Sequence, residues 1–226
     1  MAASALGLVA ALPAARAQLL LSGHTHAQFT DPGAANTTVT NGADSSMFSS
    51  GIPYSSSATQ TSVGFTGTTF AGAGNGDTIN LGTVDLTNGI TLLGSTASAA
   101  DFNILLNLPE LGITNYVVSQ IHVGIDNTSN NGMHNVPDLF QVTPTTSGPL
   151  VLGHTNVNFN VSLSNPAFST DGGATVGEGS SANFDVFASI MTLSPVPEPS
   201  TYALWGAALL VGVIAIRRFR TRERMA

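Results

Sequence analysis

The chain has 226 residues with no cysteine and no lysine, and its six arginines are Arg16, Arg217, Arg218, Arg220, Arg222 and Arg224. Without thiols, disulfides, thiolate catalysis, zinc–cysteine sites and iron–sulfur clusters are excluded. Nine aspartates with Glu110, Glu178 and Glu198 fill the span between Arg16 and Arg217, and so acidic a stretch repels nucleic acid, anionic lipid headgroups and phosphate substrates.

Residues 1–17 have the layout of a secretory signal peptide. Ala5 to Leu12 is apolar, Pro13 follows, and Ala15-Arg16-Ala17 is an A-x-A cleavage site. A buried N-terminal helix is the rival reading, against which Pro13 and the cleavage pattern weigh. Export through the Sec translocon and cutting by signal peptidase after Ala17 are therefore expected. Residues 18–44 read as an extended segment leading into the domain. Within it, His24-Thr25-His26 has the same-face spacing that two metal ligands use on a strand, with a solvated terminus as the plainer reading.

Residues 45–193 read as one all-β domain. Residues 45–62 hold ten serines and threonines with Gly51 and Pro53, which predicts an extended, loop-rich lead-in. From there the hydrophobic period is two. Weaker strands are predicted at Val63–Phe65, Ile79–Leu86 and Ile90–Leu93, with Thr87-Asn88-Gly89-Ile90 as a hairpin turn. Asp101–Leu108 puts Phe102, Ile104, Leu106 and Leu108 on one face, and Tyr116–Ile125 does the same with Val117, Ile121, Val123 and Ile125. Leu139–Val142 is a further weak strand. Asn156–Leu163 alternates Val157, Phe159, Val161 and Leu163 with polar neighbours, and Phe184–Leu193 closes the series. Some eight short strands broken by Gly, Asn, Ser and Pro predict an antiparallel β-sandwich, with a jelly roll or closed barrel as the alternative.

The chemistry on offer is sparse. Asp126-Asn127-Thr128-Ser129-Asn130-Asn131-Gly132 places oxygen-bearing side chains as part of a calcium loop does, so Asp126 and Asn130 are the candidate metal ligands. The run departs from the full D-x-[DN]-x-[DN]-G pattern and lacks a following bidentate Glu, which favours an Asn-rich turn and no cofactor. His122 alternates with the apolar residues of its strand and reads as solvent-facing or cross-strand. The glycines of Gly72–Gly76 precede a strand, not the helix that phosphate loops need. Glu110 and Glu178 are a pair to weigh for glycoside acid–base work, one following Pro109 in a loop and the other lying between glycines. No G-x-S-x-G or H-E-x-x-H is present. No catalytic residue is assigned.

Phe48-Ser49-Ser50-Gly51-Ile52-Pro53, Ser62-Val63-Gly64-Phe65-Thr66-Gly67, Ile79-Asn80-Leu81-Gly82 with Thr87-Asn88-Gly89, and Val176-Gly177-Glu178-Gly179 together resemble the choice-of-anchor K domain. The resemblance covers about residues 45–193 and implies a domain displayed with various surface anchors. It carries over no catalytic or binding residue.

Residues 194–201 are Ser194-Pro195-Val196-Pro197-Glu198-Pro199-Ser200-Thr201, too rich in proline for helix or central strand. Residues 202–216 carry no charge and predict a single transmembrane helix. Ser200 to Ile216 reaches about 25 Å as a helix, and Tyr202 and Trp205 at one end with snorkelling arginines at the other close the gap to a ~30 Å core. Residues 217–226, with Arg217, Arg218 and Arg220, then form a basic cytoplasmic tail. Val196-Pro197-Glu198-Pro199-Ser200-Thr201, the apolar span and the arginine cluster resemble the PEP-CTERM sorting signal of Gram-negative bacteria that make exopolysaccharide. What this implies is an exosortase as partner, transient residence in the inner membrane, and delivery to the cell surface or extracellular matrix. The expected role is structural or adhesive within a biofilm matrix, without enzymatic activity. The alternative is a carbohydrate-binding module for exopolysaccharide, assisted by calcium.

Overall fold

Alternation of large apolar and small polar side chains is what this chain uses to build sheets. The computed structural model describes residues 19–128, 136–169, 173–193 and 206–212. In it, thirteen strands pair into two antiparallel sheets. They are β1 (Leu21–Phe29), β2 (Thr37–Asn41), β3 (Ser45–Ser50), β4 (Thr61–Gly67), β5 (Thr69–Ala73), β6 (Thr78–Thr87) and β7 (Ala99–Leu108). The rest are β8 (Ile113–Asp126), β9 (Asp138–Thr146), β10 (Leu150–Leu152), β11 (Thr155–Leu163), β12 (Ala174–Val176) and β13 (Ser181–Leu193). One sheet has the order β12-β9-β8-β7-β1-β5 and the other β10-β11-β13-β6-β4-β3-β2. The fold is all-β, as its period of two predicts.

The inner faces of both sheets supply one core. Phe102, Ile104, Leu106 and Leu108 of β7 are buried against Phe48 of β3, Phe65 of β4, Val84 and Leu86 of β6 and Val186 of β13. Phe102 is the hub of the aromatic contacts, with ring centroids 4.6 Å from Phe29 and 5.7 Å from Phe65. Val157 and Phe159 of β11 are buried as their alternation requires.

Four expectations need correction. Residues 18–44 do not merely lead into the domain, because β1 sits between β7 and β5 and buries Leu21, Ala27 and Phe29. The extended, loop-rich lead-in at residues 45–62 is part of a sheet: β3 and the start of β4 are strands, anchored by the fully buried Phe48, with Ser46 Oγ donating to the Ala27 carbonyl at 2.6 Å. The serine-rich composition hid their period. In β8 the inward residue is Val118, not Val117, because an extra residue bulges between Val117 and Ser119 opposite Ile104 and Leu105. Finally, Asn88-Gly89 is no hairpin turn and Ile90–Leu93 no strand. Beyond β6 the chain makes only an isolated bridge between Thr91 and Pro53, and Asn88 is buried within the sandwich.

The strand directions gather loops at two ends. At one end lie the segments between β3 and β4, β6 and β7, β8 and β9, and β12 and β13. At the other lie the connection from β7 to β8 and the end of β13 at Leu193.

Candidate functional site

Three inward-facing rows of side chains do not stop at the apolar core. Val84 and Leu86 of β6 face inward, and Asn88 continues their row two residues on. Ile121, Val123 and Ile125 of β8 continue into Asn127, and Asp138 precedes Phe140 and Val142 in the inward row of β9. Asp126 pairs with Leu139 across β8 and β9, so Asn127 and Asp138 are the next neighbours along that ladder. On the other side Asp138 pairs with Val176 of β12. Asn88, from the facing sheet, donates its Nδ2 proton to that Val176 carbonyl at 2.7 Å. The result is a polar layer across the end of the core, contributed by both sheets.

Its hydrogen bonds are one-sided. Asp138 Oδ1 accepts the Thr128 backbone N–H at 2.8 Å, and the Thr128 hydroxyl lies 3.0 Å away. Asn127 Nδ2 donates to Thr91 Oγ1 at 3.0 Å and Thr96 Oγ1 at 2.7 Å. Asn88 also gives its backbone N–H to the Ser180 carbonyl and accepts the Gly179 N–H. Left over are Asp138 Oδ2, Asn88 Oδ1 and Asn127 Oδ1, all buried and without a hydrogen-bond partner among the described residues. Burial pushes the Asp138 carboxyl above its usual range, against the two Thr128 hydrogen bonds and with a further push from the Asp126 charge. Asp126 itself is exposed at the end of β8. The carboxylate oxygens of Glu178 are buried in the neighbouring turn between β12 and β13.

Other sequence candidates fall elsewhere. His24 and His26 sit on the outer face of β1, where Asn107 Nδ2 lies 3.0 Å from His24 Nε2 and 3.3 Å from His26 Nδ1. A frayed terminus is not what holds them. His122 makes a cross-strand pair with Asp101, Nδ1 to Oδ1 2.7 Å, as its position predicts. Glu110 and Glu178 lie at opposite ends of the sandwich and do not form an acid–base pair. In the Gly72–Gly76 segment, the Gly74 N–H is taken by the Asp77 carboxylate at 2.7 Å, which occupies a donor a phosphate would need. Among the described residues, no group of three or more His, Cys, Asp or Glu side chains is placed to hold a metal. A sugar-binding surface needs exposed aromatic rings, and Tyr116 instead packs on Phe159 and donates its hydroxyl to the Gly148 carbonyl. Tyr54 is exposed beside Ile52, Leu92 and Leu93 at the loop end.

Asn130, Val196, Pro197, Glu198, Pro199, Ser200, Thr201, Tyr202, Trp205, Arg217, Arg218 and Arg220 lie outside the described residues, as does the 1–17 segment. Residues 206–212 are helical and exposed, and no described helix is long and apolar enough to cross a membrane.

Asp138, Asn88 and Asn127 were not singled out by sequence spacing, since Asn88 and Asn127 lie 39 positions apart. The available signal was a polar residue at the next inward position of each alternating row. Comparison with models of known protein families gives no match, and no curated protein matches the chain.

Proposed function

We propose that this chain is an exported cell-surface or extracellular-matrix protein, sorted by an exosortase through Val196-Pro197-Glu198-Pro199-Ser200-Thr201. Residues 202–216 hold it in the inner membrane until processing, with Arg217, Arg218 and Arg220 on the cytoplasmic side. The β-sandwich, resembling the choice-of-anchor K domain, serves a non-enzymatic structural or adhesive role in an exopolysaccharide matrix. The observation that carries the reading is the order of motif, apolar span and arginines directly after the last strand. β13 ends at Leu193 and the proline-rich motif begins at Ser194. A cut within that motif therefore leaves every paired strand and the whole core in the released piece.

The test is mass spectrometry of the termini of protein recovered outside the producing cell. Peptides ending within residues 194–201, with none containing Trp205, are expected. Recovery of Trp205 peptides from the released pool overturns the sorting reading. Polysaccharide pull-down separates a structural role from the carbohydrate-binding alternative, for which the exposed Tyr54 ring is the available stacking surface.

A further inference from the structure

A buried acceptor without a donor costs free energy, and a buried carboxylate costs more than an amide. Native sandwiches usually close their ends with apolar side chains or with polar groups that satisfy one another. Here the atoms left over are all acceptors: Asp138 Oδ2, Asn88 Oδ1 and Asn127 Oδ1. Neither Asn88 nor Asp138 has any measurable exposure. Oxygens alone cannot satisfy oxygens, so something positively charged or protic belongs between them.

The orientation of Asn88 is fixed. Its amide nitrogen faces a carbonyl, which only a donor can do, so its Oδ1 is the remaining acceptor. Asn127, one residue past β8, and Asp138, the first of β9, are the next positions along the β8–β9 ladder, and Asn88 reaches Val176, the β12 partner of Asp138, from the opposite sheet. Sheets packed about 10 Å apart let three such side chains approach one another. The donor set is hard oxygen with a carboxylate and two amide carbonyls, with no imidazole or thiol. That chemistry suits calcium and disfavours zinc, copper and nickel. Having fewer than three carboxylates is no obstacle, because amide and backbone carbonyls are ordinary calcium ligands.

We propose that Asp138, Asn88 and Asn127 bind a calcium-class divalent cation that seals the loop end of the two-sheet core. The site lies at the base of the loop that begins at Asp126, and its ligands are the inward residues flanking that loop. Seated there, the cation ties β6 of one sheet to β8 and β9 of the other. The inference does not rest on the sorting reading.

The test uses the full chain in mild detergent, stripped with EDTA, desalted, and titrated with calcium chloride by isothermal and scanning calorimetry. Magnesium chloride and ionic-strength-matched sodium chloride serve as controls. Calcium at hundredfold excess over its dissociation constant is expected to raise Tm by about 5 °C or more. Asp138→Asn, which keeps the shape and removes the charge, is expected to abolish the calcium response and to raise Tm of the calcium-free protein. Asn127→Ala, at the rim of the layer, is expected to weaken binding at least about tenfold, and serves if Asp138→Asn does not fold. An unchanged Tm with no heat of binding up to millimolar calcium overturns the proposal. Wild-type calcium binding in either variant also overturns it.

Discussion

Thr25 and Gly67 meet at the seam where the two sheets touch, so closely that a Cβ on Gly67 would overlap the Thr25 carbonyl oxygen. Thr25 Oγ1 donates to the Leu81 carbonyl and accepts the Thr68 N–H at 3.0 Å. The chain crosses there from β4 in one sheet to β5 in the other. Gly67→Ala is expected to destabilise the domain by about 2–3 kcal/mol through backbone displacement. A urea midpoint unchanged from wild type would show that the seam gives way freely.

Phe102 joins Phe29 and Phe65 in the core and is almost wholly buried. Phe102→Ala is expected to cost about 3–5 kcal/mol by chemical denaturation. A loss below about 1 kcal/mol would mean that the core collapses around the missing ring.

His26 gives the domain an acid sensitivity. Its pKa is lowered, chiefly by burial and then by the His24 charge, with Asp44 acting in the opposite direction. The unfolded residue takes up a proton near about pH 6.5, while the folded one resists. Its contribution to stability is therefore complete above that pH and is lost as pH falls through the lower folded value. Urea midpoints measured from about pH 8 to pH 5 should decline, and His26→Gln should flatten the decline. Equal slopes in both proteins would remove His26 as its source.

Residues 18–195, produced alone, should be soluble and mostly β by circular dichroism. They contain all thirteen strands and both sheets. Their nine aspartates and two glutamates, unopposed by Lys or Arg, keep copies apart. A helix-dominated spectrum would contradict the sheet assignment.

The strongly alternating elements were legible because one face of each is wet and the other packed. β11 sets asparagine and serine outside Val157 and Phe159, and β7 sets Asp101, Asn103 and Asn107 opposite Phe102, Ile104, Leu106 and Leu108. β1 and β3 were harder. His24, Thr25 and His26 dilute the apolar pattern of β1, and β3 has a single large apolar anchor in Phe48. Tertiary pairing, not local pattern, makes both of them strands. The bulge at Val118 was invisible because register depends on the partner strand. The candidate site was obscured by the same rule that exposed the fold. A polar residue beside an apolar row reads as the end of a strand, so Asn88 passed for a turn and Asp138 fell just outside the expected strand Leu139–Val142. Only the facing of two sheets shows that both side chains point inward.

β13 starts at Ser181, paired with Thr87 next to Asn88, and runs without interruption to Leu193. Its thirteen residues span about 40 Å at the usual rise. The end of the strand at Leu193 is thus held at arm's length from the Asn88–Asn127–Asp138 layer. The strand works as a mast: a fastening at its foot leaves the loops at its head unshaded. A load borne between head and foot would run along the strand and spread over the ladders that pair its first part with β6 and its last part with β11.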